Sequence, residues 1–156
     1  MKVLVMSDSH GDRTSVSKIV DGNQDAQVII HLGDGERDME YVPFLNERAE
    51  IIAVRGNCDI ASTLPLNRVK YFEGHVFYIT HGFVEKVKQG TTELMGAAEK
   101  YSAGIVLYGH THSTVNKTIN EMHFFNPGSV KNGFYGVISI NGDKIKYEHK
   151  LVEDLE

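Results

Sequence analysis

The chain has 156 residues, of which 41% are hydrophobic and 24% charged, and its formal net charge is -5. This length predicts one domain over residues 1–156 with a substantial core, and no apolar run approaches the roughly 20 residues that cross a bilayer, which argues against a membrane protein. The acidic balance argues against non-specific binding to nucleic acid, because such binding needs a basic face.

The start of the chain and its cysteine content predict a cytoplasmic protein. The apolar stretch before Ser7 has only four residues, too few for the apolar region of a secretory signal. Cys58 is the single cysteine, so no internal disulfide can form, and this agrees with a reducing compartment.

Five short apolar runs, rich in β-branched and aromatic residues, predict strands that are buried on both faces. In chain order the runs are Val3 to Met6, Val28 to Leu32, Ile51 to Val54, Val76 to Thr80 and Gly104 to Tyr108. Three segments between them predict helices. They are 12–22, ended by Gly22, then 36–47, which opens with acidic residues, and 91–101, which begins with a threonine cap. Alternating strands and helices predict α/β units.

Beyond Tyr108 the pattern changes to shorter, partly alternating segments, which predict an antiparallel meander. The segments are 113–119, 122–126, 133–140 and 144–150. Turn-forming residues separate them, and the Asn-Gly-Asp sequence at 141–143 is the clearest hairpin turn. Two packed sheets with helices outside are therefore expected, with the strand order left open.

Each of the five apolar runs is followed by polar side chains that can bind a metal ion. In order, they are Asp8 and His10, Asp34, Asn57 and Asp59, His81, and His110 and His112. The carboxyl ends of strands in open α/β sheets form the rim where ligands bind, so these side chains are expected to converge. Residues two apart on an extended chain point to the same side, so each such pair can bind one ion.

Glycines stand beside these candidate ligands and are expected to permit turns with positive φ and close backbone approach. They are Gly11, Gly33, Gly56, Gly82 and Gly109.

Four histidines, two aspartates and one asparagine form a mixed nitrogen and oxygen set that suits Mn, Fe, Zn, Co or Ni. Seven ligands are too many for one tetrahedral ion but suffice for two divalent ions that share a bridging carboxylate. Two ions roughly 3.5 to 4 Å apart, bridged by a hydroxide, favour in-line displacement at phosphorus. The excess positive charge of such a centre attracts an anion such as a phosphate ester.

Five motifs in order carry a family resemblance: DSH, GD, GNCD, THG and GHTH. With these motifs the chain resembles the calcineurin-like metallophosphoesterase superfamily, and VRGNCD and NPGSV resemble its small YfcE-type phosphodiesterase branch. The resemblance implies an α/β fold, a four-layer αββα sandwich of two mixed β-sheets, with a binuclear metal centre. It further implies that Asp8, His10 and His112 hold one ion, that Asn57, His81 and His110 hold the other, and that Asp34 bridges them.

Two residues depart from the family pattern. Cys58 stands where much of the superfamily has a histidine, and Phe83 stands where many small members have another. Both changes remove an acid near the leaving group, so esters with activated leaving groups are expected to be the better substrates.

Other polar residues have two readings each. Arg55 either contacts a substrate phosphate or pairs with an acid, and pairing is favoured. Asp59 either orients a ligand or caps a helix, with neither favoured. The segment 126–129 is most simply a turn, and the family resemblance implies that its backbone lines the site. Four further histidines are expected to be structural: His31, a buried core residue, and His75, His123 and His149.

The function expected from this pattern is that of a metal-dependent phosphodiesterase with two divalent transition-metal ions, of which manganese is favoured. The expected catalytic residues are Arg55, Asn57 and Asp59, with Asp34 as the bridging ligand. A small phosphate ester is the expected substrate, and a nucleic acid only as a nucleotide-type substrate. The alternatives are a non-catalytic scaffold like the retromer subunit and a phosphomonoesterase. A homo-oligomer is left open.

Overall fold

The computed structural model describes residues 1–155 and places ten strands of that range in two five-stranded sheets. The strands are β1 (Lys2–Met6), β2 (Val28–His31), β3 (Glu50–Ala53), β4 (Asn67–Phe72), β5 (His75–Thr80), β6 (Ile105–Leu107), β7 (Val115–Ile119), β8 (Met122–Asn126), β9 (Phe134–Asn141) and β10 (Lys144–Leu151). The strand order is β10-β9-β1-β2-β3 in the first sheet and β4-β5-β6-β8-β7 in the second.

Both sheets mix parallel and antiparallel neighbours. In the first sheet β1 pairs parallel with β2 and antiparallel with β9. In the second, β6 pairs parallel with β5 and β8, while β4 and β7 pair antiparallel with their neighbours. The helices are α1 (Arg13–Asp21), α2 (Val42–Leu45) and α3 (Thr92–Glu99), with 3-10 turns at Glu36–Met39, Val87–Gln89, Val130–Asn132 and Val152–Asp154. The predicted fold class, two packed mixed sheets with flanking helices, is confirmed. No helix within residues 1–155 has the length and apolar character needed to cross a bilayer.

The continuous apolar runs reflect burial of both faces of the central strands. Val3 and Val5 of β1 pack between the sheets with Phe77 of β5, whereas Leu4 of β1 packs with Val16 of α1 on the outer face. Because side chains alternate along a strand, a strand covered on both sides needs apolar residues at every position.

The predicted helix over 36–47 is wrong as a single element. A 3-10 turn covers Glu36–Met39, and the short helix α2 begins only at Val42. Pro43 lies at the start of α2, where its missing N–H does no harm, but within one longer helix it would remove a hydrogen bond.

The expected threonine cap of the third helix is also wrong. Thr91 is the N-cap residue of α3, but its side chain makes no capping hydrogen bond. Its φ of -104° and ψ of 1° lie outside the extended conformation from which an N-cap hydroxyl normally accepts. Gly22, by contrast, ends α1 as predicted.

The predicted meander after Tyr108 is divided between the two sheets. β7 and β8 form a hairpin in the second sheet, and β9 and β10 form one in the first. Segment 126–132 therefore crosses between sheets and is not a hairpin turn. β4, which the sequence did not predict, pairs with β5 at the edge of the second sheet. Its polar residues, including Lys70, are typical of an edge strand, so it lacks an apolar run.

Phe77 tests the layer between the sheets. Its side chain is fully buried in the apolar cluster formed by both sheets. Phe77→Ala is expected to lower the free energy of unfolding by about 3 to 5 kcal/mol, because it removes apolar contacts and leaves a cavity. Urea titration is the measurement, and Tyr71→Ala, at a side chain that is 70% exposed, is the control. A loss below about 1 kcal/mol for Phe77→Ala would contradict this packing.

Candidate metal centre

The polar segments that follow β1, β2, β3, β5 and β6, here called the exits of these strands, meet at one end of the sandwich. Three exits come from the first sheet and two from the second, since β1, β2 and β3 precede the first five candidate ligands and β5 and β6 precede the rest. Two groups of three residues that consist of predicted ligands alone place their ligand atoms within 4.8 Å of one another. These groups are Asp8, His10 and His112, and Asp34, His81 and His110. Asn57 joins the second group, because its Oδ1 lies 2.9 Å from His81 Nε2.

Asp8 is a fully buried carboxylate with one oxygen fixed and one facing the site. Its Oδ2 accepts hydrogen bonds from the Ser7 hydroxyl and from the His110 backbone N–H. Its Oδ1 lies 3.1 Å from His112 Nε2 and 3.6 Å from His10 Nε2. One carboxylate oxygen therefore supports the protein backbone while the other is directed at two imidazoles.

Asp34 lies between the two groups. Its Oδ1 accepts the Cys58 backbone N–H at 2.7 Å. Its Oδ2 is 3.2 Å from His81 Nε2 and 3.7 Å from His10 Nε2, so it faces one histidine of each group. Burial opposes the charge of this carboxyl, but the hydrogen bond and the charge of His81 outweigh it, and the pKa of Asp34 falls below its ordinary value.

His81 is oriented by the backbone. Its Nδ1 lies 2.7 Å from the Leu32 carbonyl, which assigns the proton to Nδ1 and directs Nε2 at Asp34 and Asn57. Burial lowers the pKa of His81, but the hydrogen bond to Asp34 and the charge of Asp8 outweigh burial, so this pKa is raised overall. When only Nδ1 carries a proton, Nε2 is an acceptor beside the Asp34 and Asn57 oxygens, and this set of nitrogen and oxygen atoms suits a transition-metal ion.

The candidate ligands do not lie on extended backbone, as the sequence analysis expected. Five residues of the two groups have left-handed φ values: Asp8 (53°), His10 (43°), Asp34 (61°), His110 (69°) and His112 (61°). Such values are unusual for residues other than glycine and concentrate at functional sites. His110 lies in the group of Asp34 and His81, whereas His112 lies in the group of Asp8 and His10. Tight turns, not strand alternation, bring the side chains together.

Gly56 lets the loops after β2 and β3 approach closely. A Cβ at this position would collide with the carboxylate and the backbone nitrogen of Asp34. Gly56 does not have a positive φ, whereas Gly33, with a φ of 104°, does. The glycines of this region therefore serve two purposes, close contact and turn formation, as expected.

Asp59 binds the backbone of the neighbouring loop. Its two carboxylate oxygens accept N–H groups from Asp34, Gly35, Glu36 and Gly56 at 2.8 to 3.1 Å. Two of these donors lie at the start of the 3-10 turn Glu36–Met39, so Asp59 both positions a candidate ligand and caps a helical turn. The geometry describes a positioning residue, and direct participation in catalysis stays a prediction.

Arg55 and Cys58 flank the groups. The Arg55 guanidinium reaches only the Ser62 carbonyl, at 3.4 Å, and within residues 1–155 no carboxylate lies within 4.0 Å of it. The favoured pairing of Arg55 with an acid is therefore wrong. Cys58 is exposed, and its Sγ lies within 4.8 Å of ligand atoms of His10 and Asp34. Burial and the charge of Asp34 raise the pKa of the thiol.

The segment 126–129 supports both exits that carry Asp8 and His110. Asn126 Nδ2 donates to the Gly109 carbonyl and to Thr111 Oγ1, and Ser129 Oγ donates to the Asp8 carbonyl at 2.8 Å. The sequence analysis expected a turn here and did not predict these contacts. The only sign of these contacts in the sequence is that two side chains able to form hydrogen bonds, Asn126 and Ser129, flank a Pro-Gly pair.

A second hydrogen-bond network that the sequence analysis did not predict joins the loops after β1 and β2 through His31. Its Nδ1 accepts the Gly33 N–H, and its Nε2 lies 3.0 Å from Ser9 Oγ, which donates to Asp38 at 2.6 Å. Asp38 also accepts the Gly11 N–H. His31 is 1% exposed, which confirms the prediction of a core histidine with satisfied hydrogen bonds.

The other three histidines make structural contacts, as predicted. His75 lies 2.7 Å from the Gly142 carbonyl. His123 stacks on Tyr147 with ring centroids 3.9 Å apart. His149 lies 2.8 Å from the Asn126 carbonyl.

Comparison with known proteins assigns the family. The profile of the calcineurin-like phosphoesterase superfamily domain matches residues 1–140. The chain belongs to this superfamily. Phosphodiesterase YfcE of Escherichia coli is 32% identical over 154 aligned residues, covering 83% of this chain and 79% of that protein. A phosphodiesterase of Methanocaldococcus jannaschii is 26% identical, covering 98% of this chain and 100% of that protein. The resemblance to the small YfcE-type branch is confirmed, and these relatives support a metal-dependent phosphoesterase.

Solved structures of other proteins share the fold. A Streptococcus pneumoniae protein predicted to be a phosphoesterase superposes with a TM-score of 0.83 at 27% identity, covering 97% of this chain and 90% of that one. Vps29 of Entamoeba histolytica gives a TM-score of 0.79 at 19% identity, covering 97% and 99%. At the lower identity the likeness concerns the fold alone.

Asp59→Asn tests the four hydrogen bonds that the Asp59 carboxylate accepts from backbone N–H groups, here called the backbone clamp. An amide would direct its NH₂ group at two of the backbone N–H donors and lose the charge that strengthens all four bonds. The expected loss is about 2 to 3 kcal/mol in the free energy of unfolding, measured with urea. Asp25→Asn, at a carboxylate that is 73% exposed beside Lys2, should cost less than about 1 kcal/mol. Equal losses in both variants would refute the clamp.

His31→Gln tests the buried histidine. Burial lowers the pKa of His31 from its ordinary value of 6.5, so below that pH the unfolded chain binds a proton that the folded chain resists. This residue therefore stabilises the fold fully above pH 6.5, and the contribution is lost as pH falls from there towards the folded pKa. The variant should show a shallower fall in unfolding free energy between pH 7 and 5, by up to about 1.4 kcal/mol per pH unit. Urea titrations in EDTA measure it, and an unchanged pH dependence would contradict the buried neutral state.

Proposed function

We propose that the chain is a single-domain, metal-dependent phosphodiesterase with two divalent transition-metal ions. The observation that carries the proposal is the position of Asp34, whose Oδ2 faces His81 of one ligand group and His10 of the other. A carboxylate between two sets of imidazoles is the arrangement expected of a bridged pair of ions. The phosphodiesterase names of the relatives in Escherichia coli and Methanocaldococcus jannaschii support the reaction class.

The proposed ligands divide as the two groups do. Asp8, His10 and His112 would hold one ion, Asn57, His81 and His110 the other, and Asp34 both. When bound, such ions supply an activated water and neutralise the charge of the phosphate group. Manganese is the predicted metal, and the nitrogen and oxygen donors are equally compatible with Ni, Co, Fe or Zn.

The protein's own residues would orient the ligands and admit the substrate. Asp8, Asp34 and His81 form the buried floor, whereas His10, Asn57 and His112 lie on the exposed side, so a phosphate can approach from solvent. Arg55, free of any carboxylate partner within residues 1–155, would contribute positive charge beside Asn57. The ring of Phe83 can donate no proton to a leaving group, and this favours esters whose leaving group needs none.

Two alternatives use the same fold. Vps29 of Entamoeba histolytica, which shares the fold, was solved with zinc. Metal binding alone does not separate an enzyme from a non-catalytic scaffold, so turnover has to be measured. A phosphomonoesterase would use the same ligands. Comparison of an activated diester with the matching monoester decides between these two activities.

Hydrolysis of bis(p-nitrophenyl) phosphate by metal-stripped protein, with Mn, Ni, Co, Zn and Mg added back separately, tests the proposal. A transition metal should restore turnover, and p-nitrophenyl phosphate should react more slowly. Asp34→Asn and His81→Ala should each lower kcat/KM by more than about a hundredfold. Replacing a residue that only orients a metal ligand typically costs about 10- to 100-fold, and these variants replace the ligands themselves.

His75→Gln is the matched control, since His75 begins the strand that His81 follows and lies at its opposite end. It should keep wild-type activity. Undiminished hydrolysis by both ligand variants would show the mechanism to be wrong. Wild-type protein that binds two ions without turnover would favour the scaffold.

A further inference from the structure

A cleft of about 470 Å³ opens directly beside the second ligand group. Asn57 and His81 are among the residues that line it. Leu66, Phe83 and Val84 form an apolar wall, and Arg55 adds a guanidinium. A substituent of a phosphate held by the ligand groups would therefore meet apolar surface and one cation.

The apolar wall is held in place by a buried carboxylate. Glu85 is 6% exposed, and it accepts hydrogen bonds from Tyr78 at 2.8 Å and from Thr80 at 3.1 Å, both on β5. The Val87 N–H bonds the Gly82 carbonyl at 3.2 Å and closes the loop. Phe83 and Val84 are presented at the tip of this loop and are 54% and 55% exposed. Large apolar side chains on a fixed loop beside candidate ligands form a preorganised surface.

The Phe83 ring offers a face for stacking. It meets the His110 ring edge to face, with centroids 5.5 Å apart and an interplanar angle of 85°. Flat π-systems stack on such a ring, whereas an alkyl chain gains no comparable contact. Arg55 in the same cleft presents donors without a competing carboxylate within residues 1–155, and these donors match the ring nitrogens and carbonyl oxygens of a heterocycle.

A second cleft, beside His10 and Asp34, has a different character. It measures about 310 Å³, and residues of the loop 56–60 line both clefts. Glu36 and Arg37 line it, and Ile60 is its large apolar residue. The two substituents of a diester would thus find unlike surroundings, and the aromatic one fits the side of Phe83.

We propose that the cleft between Arg55 and Phe83 binds a planar heteroaromatic group, so that the substrate is a nucleotide-type phosphodiester whose base stacks on Phe83. This inference rests on the proposed function for its catalytic meaning. Phe83 is here a specificity-determining residue and takes no part in the chemistry at phosphorus.

Binding tests the inference independently of turnover. Isothermal titration calorimetry of the manganese-loaded protein would compare adenosine 5′-monophosphate with ribose 5-phosphate, which differ only in the base. Wild-type protein should bind the nucleotide about tenfold more tightly, because stacking of a base on an aromatic ring contributes about 1 to 3 kcal/mol. Phe83→Ala should remove most of this preference, and Phe83→Trp should keep it.

Tyr71→Ala is the matched control, because Tyr71 is an exposed aromatic residue away from the cleft. Thr80, which lines the cleft, pairs with Asn67 at the start of β4, whereas Tyr71 lies near the end of that strand. It should leave the tenfold preference unchanged. Wild-type protein without a preference, including one that binds neither phosphate, overturns the inference. The inference is also overturned if Phe83→Ala keeps the preference for adenosine 5′-monophosphate over ribose 5-phosphate.

Turnover separates failure of the inference from failure of the proposed function. The p-nitrophenyl ester of thymidine 5′-monophosphate and methyl p-nitrophenyl phosphate share a leaving group and differ in the retained group. Phe83→Ala should lower kcat/KM for the nucleoside ester about tenfold relative to the methyl ester. An equal effect on both esters overturns the inference. Absence of hydrolysis by wild-type protein with every metal refutes the proposed function, while the calorimetric preference still decides the role of the cleft.

Discussion

The buried carboxylate of Asp34 constrains the loops of both sheets. Taking a carboxylate out of water is costly unless hydrogen bonds and opposite charges compensate it. Here the compensation comes from three directions: the Cys58 N–H after β3, His81 after β5, and His10 after β1. The backbone around Asp34 is held as well, since its carbonyl accepts the His10 N–H at 3.0 Å. None of these loops can move without leaving the charge poorly compensated.

The physical origin of the site explains which parts of it could be predicted. Strands covered on both faces must be apolar at successive positions, so β1, β2 and β5 are visible in the sequence as continuous runs. The polar residues after each run are visible for the same reason, because they mark the point where burial ends. This was enough to predict which side chains the structure brings together.

Features that depend on partners distant in sequence could not be predicted. The four donors to Asp59 are backbone N–H groups, and a backbone group has no signature in the sequence. Within residues 1–155 Arg55 has no carboxylate partner, and this and the burial of Glu85 depend on how loops pack against the second sheet. The left-handed φ of Asp8 or His110 is likewise imposed by tertiary contacts, since neither residue type requires it. β4 escaped prediction because an edge strand can carry polar residues on its open side.

The distance along the chain between ligands has a consequence for folding. Asp8 and His112 lie 104 residues apart in sequence, yet their side chains meet at 3.1 Å. An ion bound by both residues would join the loop after β1 of the first sheet to the loop after β6 of the second. It would act as a reversible cross-link, and it could form only after the strands of both sheets have paired. Such ions would bind only the folded form, so they would raise its apparent stability with their free concentration. The lifetime of this protein against unfolding would then follow the supply of metal in its surroundings, independently of any substrate.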